Sequence, residues 1–143
     1  MPARIANITI HAKEPIPLAH FWSAVMGYPA FTGWDDDEMA ELRASGMTEA
    51  ELEDRAEAWD GDPAHQRFYF SRYDHERRAR NRMHIDITPF DDRRASRAEI
   101  QAEAQRLVGL GASIESEQLG YWGPYEEFVI MMRDPEGNEF CLQ

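Results

Sequence analysis

Residues 127–143 run Glu127-Phe128-Val129-Ile130-Met131-Met132-Arg133, then Asp134-Pro135-Glu136-Gly137, then Asn138-Glu139-Phe140-Cys141-Leu142-Gln143. Their reading decides the fold. An apolar run bounded by Asp-Pro is a strand that stops, because proline cannot donate to a sheet ladder. Glycine three residues after the aspartate supplies the positive φ of a tight turn, and a second short strand returns beside the first. The chain therefore closes on a hairpin.

Working outward, Tyr121-Trp122-Gly123-Pro124 reads as a turn and Ala112 to Glu115 as the opening of another strand. Ser96 caps a long helix with Glu99 three residues on, and Ile100, Ala104, Leu107 and Val108 mark its buried face. Met83 to Thr88 (MHIDIT) is a strand that Pro89 ends. The same order recurs earlier. Arg4 to His11 (RIANITIH) reads as a strand, and Leu18, Phe21, Trp22, Val25 and Met26 form one helical face with Gly27 as the stop. Arg67 to Tyr73 (RFYFSRY) is a further strand. Between them, residues 35–62 read as two short amphipathic helices carrying Met39, Leu42, Met47, Leu52 and Trp59. Ser45-Gly46 separates the two, Thr48 and Glu51 form a capping box, and Asp60-Gly61-Asp62-Pro63 closes the segment. Strand–helix–strands occurring twice predicts an α+β fold in which two modules share a sheet.

Composition bounds what such a chain does. The 143 residues suit one domain, and 43% hydrophobic residues with 4 Trp, 5 Tyr and 7 Phe are enough for a packed core. No apolar run reaches the roughly 20 residues of a membrane helix, and Met1-Pro2-Ala3-Arg4-Ile5 has no signal-peptide pattern. Cys141 is the only cysteine, so no internal disulfide forms, and the expected location is the cytoplasm. Of the net charge of −12, residues 35–62 supply twelve acidic side chains against Arg43 and Arg55, a balance of −10. Arg72, Arg77, Arg78, Arg80 and Arg82 make a basic run, yet so acidic a chain lacks the field of a nucleic-acid binder. Gly-rich phosphate loops, serine-nucleophile elbows and paired-cysteine zinc motifs are absent from the sequence.

Asn81-Arg82-Met83-His84-Ile85-Asp86-Ile87 and the ending Asp134-Pro135-Glu136-Gly137-Asn138-Glu139-Phe140-Cys141-Leu142 resemble the vicinal oxygen chelate superfamily, which contains glyoxalase, bleomycin- and fosfomycin-resistance proteins and extradiol dioxygenases. The opening strand, Phe21-Trp22 and Gly27-Tyr28 match its N-terminal pattern too. The resemblance implies one glyoxalase-like domain over 1–143, with two βαβββ modules at about 1–78 and 79–143 forming a cupped mixed sheet; the acidic helical segment at about 35–62 falls outside it, as an insert. It also implies a small-molecule ligand or substrate in the cup and a homodimer. In metal-using members a divalent ion acts as Lewis acid on vicinal substrate oxygens; imidazole and carboxylate suit zinc, nickel, manganese, iron or cobalt.

Alignment with those members puts Asn7, His84 and Cys141 at the ligand positions, and only His84 is a strong ligand there. Strand parity offers a shifted set, because Asn7, Thr9 and His11 share one face of their strand and Glu139, Cys141 and Gln143 another. His84, Glu139 and His11 are accordingly the candidate metal ligands, with Glu139 as the catalytic carboxylate. Asn7, Thr9, Trp22, Tyr69, Trp122 and Cys141 are the candidate substrate-binding residues. Bland roles stand beside these: Cys141 as a small core residue, Trp22 as core, and Glu139 paired with an arginine. The two functional expectations are a metal-dependent lyase, isomerase or dioxygenase acting on a small oxygenated metabolite, and a metal-free binder of an antibiotic-like or aromatic ligand.

Overall fold

The computed structural model describes residues 5, 8–29, 35–72, 85–90, 92–122 and 125–143. These form two compact units, Met1–Glu76 and Arg77–Gln143, each with its own mixed sheet.

The first unit runs β1 (Ile8–Ala12), α1 (Pro15–Met26), α2 (Asp36–Ala44), α3 (Glu49–Leu52), β2 (Arg55–Ala58) and β3 (Phe68–Arg72). Proline opens α1, where its missing N–H has no helical partner to lose, and Gly27 closes it at φ 69°, a conformation a side chain would strain. The sheet order is β1-β3-β2, with β1 parallel and β2 antiparallel to β3. Helix α1 covers the face built from Ala56, Ala58, Phe68 and Phe70. Alanine at both β2 positions leaves room for Trp22, which stacks on Phe68 at 5.4 Å between ring centroids and meets the edge of Phe21 at 5.5 Å. The opposite face carries Thr9 across from Tyr69 and His11 across from Ser71.

The acidic segment holds two helices with the expected Thr48–Glu51 capping box, and Asp35 with Glu38 makes a second one. Helix α2 buries none of its residues. Residues 55–58 differ from the sequence reading: the segment Arg-Ala-Glu-Ala, rich in helix formers, is a strand. Pairing with β3 and burial of Ala56 and Ala58 under α1 outweigh its helical propensity.

The second unit runs β4 (Ile85–Ile87), α4 (Arg97–Gly109), β5 (Ser113–Trp122), β6 (Tyr125–Arg133) and β7 (Glu139–Leu142), in sheet order β4-β7-β6-β5. As in the first unit, the opening strand lies parallel to the closing one, and the closing strand is antiparallel to the one before it. Helix α4 lays Ile100, Ala104 and Leu107 on the face of Ile130 and Met132. Its N-terminus uses the expected capping box: Glu99 N–H donates to Ser96 Oγ at 3.3 Å, and Ser96 N–H to the Glu99 carboxylate at 2.8 Å. Strand β5 is longer than its apolar content suggests. Tyr121 and Trp122 extend it rather than forming a loop, because each residue from Ser116 on pairs with β6 up to Trp122 opposite Tyr125.

Candidate functional site

The closing hairpin begins with a carboxylate that organises the turn. Asp134, 3% exposed, accepts the N–H groups of Glu136 and Asn138 at 2.9 Å and the Asn138 side-chain amide at 2.7 Å. Gly137 sits at φ 83° and donates its N–H to the Asp134 carbonyl. This turn fixes the β6–β7 register, and the register places Arg133 directly across from Glu139 and Met131 across from Cys141.

Glu139 has a side chain only 5% exposed, and Arg133 Nη2 donates to it at 3.0 Å. The same nitrogen donates to Glu115 at 2.8 Å, and Nη1 to the Gly137 carbonyl at 3.1 Å. A buried carboxylate needs such a partner, since an unpaired one would lose its hydration without recompense. Two residues on, Cys141 is 6% exposed and lies between Asp86 on β4 and Met131 on β6. Burial, and after it the negative charge of Asp86, push its thiol up to about 11, so it stays protonated at neutral pH.

In the first unit, the face opposite α1 is polar. Thr9 and His11 are exposed on it, and half-buried Tyr69 lies between Thr9 and Glu57 in the strand order. Arg67 pairs with Glu57, with its guanidinium 5.8 Å from the Trp59 ring centroid and 5.7 Å from that of Tyr69. Arg55 reaches the Tyr69 hydroxyl at 3.4 Å. Trp22 lies on the other side of this sheet, 1% exposed, held there by its stacking on Phe68. Asn7, His84 and the side chain of Trp122 lie outside the described residues.

The sequence reading allowed Glu139 an arginine partner but did not name Arg133. Its signal was present, since a hairpin closed by a short turn sets the residues flanking that turn opposite one another. Arg67, Glu57 and Trp59 were missed because β2 was read as helix.

The family described as a glyoxalase-like domain matches residues 7–143. The chain belongs to this family. Its fold is the mixed α+β arrangement shared with solved glyoxalase-like structures at low sequence identity. A glyoxalase/bleomycin resistance protein/dioxygenase family enzyme from Burkholderia phytofirmans superposes with a TM-score of 0.63 at 12% identity, covering 98% of this chain and 97% of that one. The fosfomycin resistance protein FosX from Listeria monocytogenes, solved as a mutant with Mn(II) and a dihydroxypropylphosphonic acid, gives 0.62 at 12% identity over 100% and 92% of the two chains. A possible glyoxalase from Bacillus cereus gives 0.59 at 12% identity over 99% of each. No match is found among curated proteins.

The donors on the closing strand of this glyoxalase-like chain do not suit a divalent ion as they stand. Cys141 is a protonated thiol, and Glu139 is engaged by Arg133. A cation there would have to expel a proton from the one and an arginine from the other. Among the described residues no three His, Cys, Asp or Glu side chains are grouped to hold a metal. None of the described helices is long and apolar enough to cross a membrane.

Proposed function

We propose that this glyoxalase-like chain is a metal-independent binder of a small organic molecule with an apolar or aromatic part. The observation that carries this reading is the state of the closing strand, where a neutral thiol stands beside Met131 and the only carboxylate on the strand is neutralised by Arg133. Thioether, thiol and a compensated carboxylate offer polarisable surface and shape rather than an anionic cradle for a metal. Within the first unit by itself, half-buried Tyr69 beside exposed Thr9 is an amphipathic ring of the kind such ligands also pack against.

The competing reading is a metal-dependent lyase, isomerase or dioxygenase in which His84, Glu139 and His11 hold the ion. Likeness to a Mn(II)-bound fosfomycin resistance protein keeps it in view as a fold relationship. The two readings separate in elemental analysis of untagged protein purified without chelator, followed by metal addition and a thermal-shift screen of aromatic and hydrophobic compounds. The expected result is no stoichiometric zinc, nickel, manganese, iron or cobalt, no shift on adding them, and stabilisation by at least one organic ligand. A ligand at 100 times its dissociation constant stabilises by about 2.7 kcal/mol, a shift of roughly 9 °C for a chain of this size. Near-stoichiometric metal that vanishes in His84→Ala or Glu139→Gln overturns the proposal in favour of the metal enzyme.

A further inference from the structure

The acidic segment holds a cleft whose charge runs against that of its surroundings. Helix α2 ends in a turn at Gly46, where φ is 96°, and Met47 N–H donates to the Leu42 carbonyl at 3.3 Å. Arg43 ties α2 to α3 by donating to both Glu49 carboxylate oxygens, at 2.6 and 3.0 Å. Leu42 and Met47 stay only half-buried in this arrangement. With Glu51, Asp54 and Arg55 they line a cavity of about 430 Å³, a size that small organic ligands occupy. Arg55 reaches it from the first residue of β2. Because Ala56 and Ala58 face α1, Arg55 points to the opposite side of the sheet, where its guanidinium donates to the Tyr69 hydroxyl at 3.4 Å.

The charged groups around the cavity differ in what already engages them. Glu51 accepts the Thr48 N–H at 2.8 Å and the Thr48 hydroxyl at 2.9 Å, as part of the α3 cap. Asp54 is paired with Arg72. Arg55 has no carboxylate partner among the described residues. In the most acidic stretch of the chain, the cavity's uncompensated group is therefore a cation. Carboxylates of residues 35–62 that lie more than about 8 Å away are largely screened at physiological salt. A guanidinium in direct contact is not, and it offers a carboxylate two parallel donors.

We propose that this cleft binds a small organic acid with an aliphatic body, its carboxylate on Arg55 and its chain against Leu42 and Met47. The Tyr69 hydroxyl stands beside Arg55 as a second donor to the same carboxylate. A thioether beside a branched aliphatic side chain makes an adaptable wall for a flexible chain. The inference rests on the reading above, that the chain binds an organic molecule without a metal. It adds an acidic group to that molecule and a place for it within the first unit.

The test titrates the full chain with octanoate, octanol and octylammonium by calorimetry, at pH 7.5 and about 150 mM salt. Octanoate is expected to bind about tenfold or more tightly than octanol, because a charge-assisted contact adds to the same aliphatic burial. Octylammonium should bind least. Arg55→Met should abolish the preference for octanoate and leave octanol near its wild-type affinity, while Arg55→Lys should keep part of the preference. Octanoate should also shift the methyl signals of Leu42 and Met47. Tightest binding by octylammonium would mean that the acidic field governs the cleft, and it overturns the proposal. So does octanoate that binds no better than octanol, a preference that survives Arg55→Met, or methyl shifts at Met131 and Met132 instead. Those outcomes leave the metal-independent reading standing, whereas stoichiometric metal with no organic ligand bound ends both.

Discussion

Ser23 is a residue whose chemistry disagrees with its place. It is 1% exposed on the buried side of α1, and its hydroxyl has no hydrogen-bond partner among the described residues. A buried unpaired hydroxyl costs about 1–3 kcal/mol, so Ser23→Ala is expected to raise the midpoint of thermal unfolding by a few degrees, read by calorimetry; a lower midpoint would mean the hydroxyl is satisfied in solution. Arg133 presents the opposite case. Removing it strands the Glu139 carboxylate, whose side chain is 5% exposed, while Arg133 itself keeps contact with water. Arg133→Met should therefore destabilise by about 2 kcal/mol, and Glu139→Gln by about half as much, since Arg133 retains Glu115. Equal losses in chemical denaturation would show that the pair, rather than the stranded charge, sets the stability. Cys141 completes the set. With its thiol held near 11 and its surface covered, it should resist alkylation at pH 7.5 in the folded chain and react at once in denaturant.

Among elements, α4 carries the clearest dependence on pH. Glu99 closes its capping box and also receives Arg93 Nη1 and Nη2 at 3.0 and 2.7 Å. Those donors, Arg93 first and then the Ser96 backbone, hold its carboxyl at about 2. A carboxylate depressed in this way contributes stability that is complete above the ordinary carboxylate value and is lost as pH falls toward about 2. Amide exchange in the first turn of α4 should accordingly accelerate between pH 4.5 and 2 relative to the rest of the helix, and Glu99→Gln should flatten that dependence. This helix was legible in the sequence because Ser96 and Glu99 announce its start and its apolar face repeats at helical spacing. The closing turn was legible for a similar reason, as Asp-Pro and Gly have few other uses. Strand β2 was not. Ala56 and Ala58 look like helix formers until a neighbouring helix needs small residues to rest on, and that need lies in residues dozens of positions away. The candidate site was half legible in the same sense. Parity placed Glu139 and Cys141 on one face, and the short closing turn set Arg133 opposite Glu139, but nothing local tells that Asp86 on β4 helps keep the proton on Cys141.

For the molecule as a whole, charge is the dominant feature. The net −12 is concentrated in residues 35–62, where the described ion pairs are few against many carboxylates: Arg43 with Glu49, Arg67 with Glu57, Arg72 with Asp54 and His65 with Asp60. Self-repulsion should therefore outweigh the gain from those exposed pairs. Raising sodium chloride from about 20 to about 500 mM, which shortens the screening length several-fold, is expected to raise the unfolding midpoint; a fall would show that the ion pairs, not the excess, govern stability. Helix α2 sits inside that segment and contributes nothing to either core. A stretch of chain that carries its own cap, buries none of its residues fully and is followed by a glycine turn at Gly46 is a natural splice point. A reporter or affinity sequence inserted between Ser45 and Gly46 would be displayed on the surface, with both sheets left as they are.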